Sequence, residues 1–300
     1  MYESFYGLSE LPFELTANPK FLFLNESQRE ALSTLQYGLF SAKSLTVLVG
    51  EAGTGKTTLI QAALESDRCR HVRAVYLNNP TLGPDDFIRL LARKLNLGTE
   101  AGESKPLLLE RLEVLLGERR AAGQTTALVI DEAQRLSIET LEEIRLLANI
   151  ETPSAKLLPL VLAGQPELAA RLEEPNLRQL KQRVTLRSHL QPFGLADTAG
   201  YIASRIKTVG GAPNLMFSLG AIKLIHAYSG GIPRTINVIC DNALVNGMAL
   251  GRSRVDRANV VEVSRDLWLT DKRQSAPTDA PVAGPEAAQP SRRVGRTSPE

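Results

Sequence analysis

The sequence predicts an α/β fold with a parallel sheet covered by helices, followed by a smaller domain made only of helices. Three observations support this prediction. Short apolar runs alternate with helical patterns between residues 44 and 194, only helical patterns remain between residues 195 and 269, and the 300 residues suffice for about two domains. Buried strands separated by helices are typical of parallel sheets that are covered on both faces.

The individual elements follow from these patterns. Strands are expected at Leu45–Val49, Val72–Leu77, Ala127–Ile130, Leu158–Ala163 and Val184–Leu190. The last of these runs alternates apolar and polar residues, which indicates a half-exposed strand. Helices are expected between the strands at Lys56–Glu65, Asp85–Leu95, Leu107–Arg120, Ile138–Ile150 and Glu167–Lys181. Because ligands of such sheets bind at the carboxyl ends of the strands, the functional residues are sought there.

The region from residue 195 to residue 269 is predicted to be a helical domain. Its helices are expected at Ala196–Val209, Leu219–Tyr228, Arg234–Leu250 and Asp256–Trp268. Trp268 is expected to anchor the last helix to its core. The final segment, residues 270–300, is rich in proline and alanine and lacks aromatic residues after position 270. Such a composition predicts a disordered tail.

Composition excludes several classes of protein. The chain has 35 lysine and arginine residues and 33 acidic residues, a net charge of +2, which excludes a strongly basic nucleic-acid coat protein and a strongly acidic tail protein. Cys69 and Cys240 are far apart, so neither a disulfide framework nor a zinc cluster is predicted. The N-terminus lacks the pattern of a signal peptide, and no apolar run reaches the ~20 residues of a membrane span. We therefore expect a cytoplasmic protein.

The most informative motif is the stretch GEAGTGKT at residues 50–57, which matches GxxxxGK[ST] between a predicted strand and a predicted helix. Its glycines allow backbone N–H groups to surround phosphate oxygens, and the helix directs its positive end at the same charge. Lys56 is expected to contact the β- and γ-phosphates, and the Thr57 hydroxyl to ligate Mg²⁺. The predicted nucleotide-binding residues are Gly50, Glu51, Ala52, Gly53, Thr54, Gly55, Lys56, Thr57 and Thr58.

Polar residues follow two further strands. Asp131 and Glu132 end the third strand, and neighbours on a strand point to opposite faces, so the two carboxylates take different roles. Asp131 is predicted to ligate Mg²⁺, directly or through water, and Glu132 to activate the attacking water as a general base. Gln165 follows the fourth strand and is predicted to position that water or contact the γ-phosphate.

Three arginines are candidates for neutralising charge in the transition state. Arg178 and Arg183 lie near the end of a predicted helix, from where one of them could reach a nucleotide on a neighbouring subunit; Arg183 is favoured, and a simple helix-end role is the alternative. Arg234 opens a helix after Pro233, where a cation opposes the helix dipole. It is therefore expected to have another partner, such as the γ-phosphate.

Together these residues resemble AAA+ ATPases, and more narrowly the general secretion pathway protein A (ExeA-like) group. The resemblance covers about residues 1–268. Its phosphate-loop motif is common to many NTPases, whereas the N-terminal segment and Gly164–Leu168 are far more specific. It rests on Phe5–Leu8, Pro12 with Phe13, Gly50–Thr58, Asp131–Gln134, Leu162–Leu168, Leu177–Val184, Tyr201 and Ile202 with Arg205, and Ser229–Asn237.

The resemblance implies a P-loop NTPase fold with residues 44–194 as the ATPase domain and residues 195–269 as a helical lid. It also implies ATP and Mg²⁺ as cofactors, sensor roles for Gln165 and Arg234, and an arginine finger at Arg183 or Arg178. Residues 1–43 are expected to contribute to the adenine pocket, around Pro12, Phe13 and Tyr37. Proteins of this kind form rings or filaments with nucleotide between subunits.

The resulting hypothesis is an ATP hydrolase that drives assembly or remodelling of a secretion, pilus or exopolysaccharide export machine through protein partners. Such a protein would be cytoplasmic, with attachment to the inner membrane through partners as an open possibility. The proline-rich tail stands where some members continue into a membrane span and a peptidoglycan-binding domain, which argues against a direct cell-wall role. The alternatives are a DNA-associated regulator of the transposition type, which the balanced charge does not favour, and a nucleotide-gated interaction module.

Overall fold

The computed structural model describes residues 1–16, 18–78, 81–153 and 155–270. Its strands are β1 (Leu45–Gly50), β2 (Val72–Leu77), β3 (Thr125–Ile130), β4 (Glu151–Thr152), β5 (Ala155–Lys156), β6 (Leu160–Gly164) and β7 (Val184–Leu190). The helices before the end of the sheet are α1 (Tyr2–Tyr6), α2 (Glu26–Phe40), α3 (Lys56–Glu65), α4 (Pro84–Lys94), α5 (Thr99–Glu103), α6 (Lys105–Ala121), α7 (Ile138–Leu147), α8 (Pro166–Leu172) and α9 (Arg178–Lys181). Those that follow are α10 (Leu195–Thr208), α11 (Pro213–Met216), α12 (Leu219–Ser229), α13 (Pro233–Ala249) and α14 (Arg257–Asp266).

Five parallel strands of the described residues form the main sheet, in the order β2–β3–β6–β1–β7. The central strands β1, β3 and β6 are buried throughout, as their continuous apolar sequences require. The edge strand β7 alternates between covered and exposed positions along most of its length. The strand order and the burial pattern confirm the predicted fold class, a parallel α/β sheet followed by helices. The parallel arrangement brings the carboxyl ends of β1, β3 and β6 to one edge of the sheet.

The N-terminal segment packs with the helices that follow the sheet. Tyr2, Leu8, Phe13 and Phe21 are buried in one cluster with residues of α10, α12, α13 and α14. The Phe13 ring meets Phe217 edge-on, with ring centroids 6.1 Å apart. Two other clusters cover the two faces of the sheet. Tyr2, Leu8, Phe13 and Phe21 therefore tie the N-terminal segment to the core of the helical unit, and the chain enters the sheet unit through α2.

Two predicted elements differ from the structure. The helix expected at Glu167–Lys181 is split into α8 and α9, because Pro175 lacks a backbone N–H and Glu174 before it is extended, with ψ 142°. The predicted anchoring role of Trp268 is wrong: its side chain is 92% exposed and its φ is 53°. The predicted disordered tail, from residue 271 onward, lies outside the described residues.

The two cysteines, Cys69 and Cys240, are buried thiols. Within the described ranges, no helix is both long enough and apolar enough to span a bilayer.

Candidate active site

The loop between β1 and α3 turns at the carboxyl end of the central strand. Gly53 and Gly55 have φ of 83° and 95°, a backbone conformation that residues other than glycine rarely adopt. A Cβ on Gly53 would also lie 2.8 Å from the Cβ of Arg234, so the loop and the helical unit approach each other closely there. The loop therefore needs glycine for its backbone conformation and for its contact with the lid.

Lys56 begins α3 and folds back over this loop. Its Nζ donates to the carbonyl oxygens of Gly50 at 2.8 Å and Glu51 at 3.1 Å. Burial lowers the pKa of the Lys56 ammonium, while the nearby carboxylates of Glu132 and Asp131 act in the opposite direction. The cation is thus held in place by weak backbone acceptors, which phosphate oxygens can replace.

Thr57 and Asp131 face each other across the same edge of the sheet. The Thr57 hydroxyl donates to Asp131 Oδ2 at 2.6 Å, and the Tyr76 hydroxyl donates to that oxygen at 3.2 Å. Tyr76 lies on β2 and was not predicted from the sequence. Burial is the largest cause that raises the pKa of this phenol, so it remains a donor. A hydroxyl and a carboxylate oxygen at this separation are ligands that suit Mg²⁺, which usually takes one or two protein oxygens plus phosphates and waters.

Glu132 occupies a separate position, turned away from Asp131 by a backbone φ of 57°. Its Oε2 accepts from Gln134 Nε2 at 2.7 Å and from Gln165 Nε2 at 3.3 Å. Burial alone would raise the pKa of Glu132, but these two hydrogen bonds and the Lys56 charge lower it below its usual value. The carboxylate is therefore ionised at neutral pH and is held beside the end of β6.

Two further residues fix this arrangement and were missed by the sequence analysis. The Gln134 side-chain oxygen accepts from the Gln165 backbone N–H at 3.1 Å, so one amide joins both strand ends. Arg171 of α8 donates to the carbonyl oxygens of Gln134 at 2.7 Å and Leu136 at 2.6 Å. The sequence signals for Gln134 were its polar side chain two positions after Glu132 and its place in the segment Asp131–Gln134 that carries the family resemblance.

The helical unit closes the site from the opposite side. Arg234 follows Pro233 in the first turn of α13, and its backbone N–H donates to the Gly53 carbonyl at 3.2 Å. The Phe193 backbone N–H donates to the Gly231 carbonyl oxygen at 2.8 Å. This bond holds the turn before α13 against the end of the sheet. The Arg234 side chain lines the cavity between the two units.

This cavity has a volume of about 350 Å³. The end beside the loop after β1, called the phosphate end below for the role proposed for it, is formed by Gly53–Leu59, Glu132 and Arg234. Its other end is formed by Glu14–Thr16, Asn18, Phe21–Phe23, Gln28, Phe193, Tyr201, Arg205, Pro233 and Asn237. Most residues of this other end come from the N-terminal segment and from α10.

The structure places part of the predicted adenine segment elsewhere. Phe13 is buried in the helical core, and the Pro12 carbonyl accepts from Arg205 Nε. Tyr37 does not line the cavity; it is half-exposed, with Lys43 Nζ 5.1 Å from the centre of its ring. The neighbouring residues Glu14–Thr16 and Phe21–Phe23 line the cavity instead.

Comparison with known proteins agrees with this geometry. A family model for AAA domains matches residues 39–172. The chain contains an AAA domain. It is 39% identical over 260 residues to general secretion pathway protein A of Aeromonas hydrophila, covering 87% of this chain and 47% of that protein. The chain thus spans about half the length of this curated relative.

Solved structures share the fold of this chain. A chain of the Drosophila origin recognition complex (ORC) bound to DNA superposes with a TM-score of 0.66 at 20% identity, over 88% of this chain and 66% of the other. The ORC2 protein of Aeropyrum pernix in ADPNP and ADP complexes superposes with a TM-score of 0.64 at 18% identity. The match covers 86% of this chain and 71% of the ORC2 chain.

Arg178 and Arg183 are not among the residues that line the cavity between the sheet and the helical unit. Arg178 is exposed in α9. Arg183 lines a second cavity of about 430 Å³ together with Arg145, Gln179 and Gln182. Arg183 directly precedes β7, and β7 runs parallel to β1 with Val184 beside Leu45 and Leu190 beside Gly50. Leu45, which pairs with Val184, lies five strand steps of about 3.3 Å before Gly50, so Arg183 lies at least roughly 17 Å from the loop after β1.

Proposed function

We propose that the cavity between the sheet and the helical unit binds ATP with Mg²⁺ and hydrolyses it. The observation that supports this most directly is the meeting of three different groups at the phosphate end. These are the Lys56 ammonium, the Thr57–Asp131 oxygen pair and the hydrogen-bonded carboxylate of Glu132. A cation, a pair of metal ligands and a general base are the parts that phosphoryl transfer to water requires.

Binding of the triphosphate is assigned to residues 50–58. Lys56 exchanges the carbonyl oxygens of Gly50 and Glu51 for β- and γ-phosphate oxygens, a stronger, charge-assisted contact. The N-terminal N–H groups of α3 point at the same anion. Thr57 and Asp131 would hold Mg²⁺, which supplies charge neutralisation on the phosphate oxygens.

The attacking water is assigned to Glu132 and Gln165. The Glu132 carboxylate accepts a proton from the water as the new P–O bond forms and the bond to ADP breaks. The Gln165 amide, 3.3 Å from the carboxylate, orients that water or contacts the γ-phosphate. Arg234 lies on the opposite wall, where its guanidinium stabilises negative charge on the transferred group.

A second copy of the chain would complete the site. Arg183 lies roughly 17 Å from its own phosphate loop, so it can reach only a nucleotide held by another molecule. We assign it, ahead of Arg178, as the cation donated across a subunit interface. The protein would therefore act as a homo-oligomer with nucleotide between subunits, whether a ring or a filament.

Steady-state ATPase measurements over a range of protein concentrations test this proposal. The wild type is expected to hydrolyse ATP only with Mg²⁺, and its specific activity should rise with concentration. Glu132→Gln should lower turnover by about 10²- to 10⁴-fold while ATP binding persists. Binding without hydrolysis by the wild type at every concentration would contradict the proposal and favour a nucleotide-gated interaction module.

Mixing two inactive variants tests the shared site. Arg183→Ala retains an intact pocket, and Glu132→Gln retains an intact Arg183, so a mixture should regain activity where the two meet. Arg178→Ala is the matched control and is expected to remain active alone. If Arg183→Ala is fully active alone, or if the mixture stays inactive, the assignment of Arg183 is wrong.

We further propose that hydrolysis drives assembly or remodelling of a secretion, pilus or exopolysaccharide export machine from the cytoplasmic side. The name and 39% identity of the Aeromonas hydrophila relative support this. Glu132→Gln, which should hold ATP, is expected to retain envelope-machine proteins that Lys56→Ala does not. Retention of duplex DNA instead, with a strong dependence on salt, would favour the DNA-associated alternative.

A further inference from the structure

A buried amide with an unmet hydrogen bond lies in the wall of the nucleotide cavity. Gln28 lines the cavity and is 7% exposed. Its Oε1 is buried without a hydrogen-bond partner among the described residues. Leaving a buried polar oxygen unpaired costs about 1–3 kcal/mol, so such a group in a ligand cavity indicates a missing donor.

Gln28 lies where its side chain could cap the start of α2, but it does not form that hydrogen bond. Gln28 is the third residue of α2, and the Asn25 side chain caps that helix by accepting from the Gln28 backbone N–H at 3.0 Å. In a full capping box the glutamine side chain would accept in return from the Asn25 backbone N–H. Asp256 and Asn259 form such a reciprocal pair at α14. At α2 the reciprocal bond is missing, since Gln28 Oε1 has no partner.

The surroundings of Gln28 suit a flat heterocycle. Gln28 follows closely after Phe21–Phe23, which line the same end of the cavity together with Phe193 and Tyr201. The phosphate loop is at the other end, so a nucleotide held by Lys56 extends its base toward these rings. Aromatic side chains provide the stacking surface that a purine requires.

We propose that Gln28 is a specificity-determining residue that recognises the 6-amino edge of adenine. Its Oε1 accepts from the exocyclic amino group, and its Nε2 donates to a neighbouring ring nitrogen. This pairing uses both halves of the amide and matches the way in which glutamine recognises adenine elsewhere. The inference rests on the proposed function, because it assigns selectivity to the same ATP site.

Equilibrium binding of two purine nucleotides tests this inference. The ligands are ATP and purine riboside 5′-triphosphate, which lacks the 6-amino group, and the full chain carries Glu132→Gln to prevent hydrolysis. We expect this protein to bind ATP about 5- to 10-fold more tightly than the riboside triphosphate, because one neutral hydrogen bond contributes about that factor to affinity. Adding Gln28→Leu should reduce the preference to less than about twofold. The affinity for the riboside triphosphate should fall less than that for ATP, because this nucleotide loses only the bond from Gln28 Nε2 to the ring nitrogen.

The matched control is Gln36→Leu, on the same helix but outside the cavity, which should keep the full preference. Equal affinity for both nucleotides without the Gln28 change, or an unaltered preference in Gln28→Leu, would overturn the assignment. A parallel loss of affinity for both nucleotides would show that Gln28 is structural. Failure to bind either nucleotide before Gln28 is changed would instead count against the proposed function.

Discussion

The two ends of the nucleotide cavity are built in different ways. The phosphate end comes from short contiguous stretches, Gly50–Thr58 and Asp131–Glu132, each placed by the end of a strand. The base end combines Glu14–Thr16, Asn18, Phe21–Phe23 and Gln28 with Phe193, Tyr201 and Asn237 of the helical unit, and these two groups of residues meet only after folding. The reactive groups therefore depend on local geometry, whereas the base end depends on the packing of the N-terminal segment against the lid.

One buried cation joins these distant parts of the base end. Arg205 of α10 is 6% exposed and donates to the carbonyl oxygens of Pro12 and Glu14. Its guanidinium also lies 4.6 Å from the centre of the Phe21 ring. The base end thus depends on a few long-range contacts, and variants at the two ends should fail in different ways.

The largest effect is expected at the phosphate end. Lys56→Ala removes the cation that faces the triphosphate and should weaken ATP binding by roughly 30-fold or more, since charge-assisted contacts contribute several kcal/mol. Titration with ATP measures this loss. Lys43→Ala, outside the cavity, should bind normally, and comparable weakening there would show that the effect is not specific to the phosphate loop.

Substitutions in the packing that supports the base end should lower the stability of the fold. Phe13→Ala deletes a ring that is 1% exposed and should lower the free energy of unfolding by about 3–5 kcal/mol. Denaturant unfolding measures this change. The half-exposed Phe5 is the control, and Phe5→Ala should cost much less. Equal values for the two variants would show that the N-terminal segment is not part of the helical core.

Positioning of the general base should affect turnover more than binding. Gln134→Leu removes one hydrogen bond to Glu132 and the link to Gln165, and should lower kcat about tenfold with KM unchanged. The pKa of Glu132 should rise, because burial persists when the hydrogen bond that lowers it is lost. The acid limb of the pH–rate profile then moves to higher pH.

The control for this variant is Gln124→Leu, at the opposite end of β3, which should leave kcat and the acid limb unchanged. A Gln134→Leu enzyme with reduced kcat but an unmoved acid limb would indicate that Gln134 acts only on the fold of the loop.

The smallest effect is expected at the exposed end of the lid. Trp268→Ala should change the free energy of unfolding by less than about 0.5 kcal/mol, because its side chain makes little contact with the core. Val260→Ala, at a fully buried position in the preceding helix α14, should cost about 1–3 kcal/mol. Thermal unfolding compares the two, and a larger loss for Trp268 would restore the anchoring role that the sequence suggested.

Much of the sheet could be predicted because its signals are local. Val72–Leu77 and Val184–Leu190 have the expected bounds, and the loop at residues 50–57 lies between a strand and a helix as its spacing requires. The α8–α9 break was missed because the helical periodicity continues across Pro175. Tyr76, Gln134, Arg171 and Gln28 were missed because their roles arise from partners distant in sequence. Trp268 was misassigned because an aromatic residue at a helix end is not necessarily buried.

The packing of the N-terminal segment into the lid also determines how the two units can move. The polypeptide passes between them twice, once between Phe23 and Glu26 and once between Leu190 and Leu195. A body tethered at one point keeps three rotational degrees of freedom, but a body tethered at two keeps only the rotation about the line that joins them. Any opening of the cavity is then a single-axis motion, in which Arg234 and the Phe21 ring travel together relative to Lys56 and Glu132.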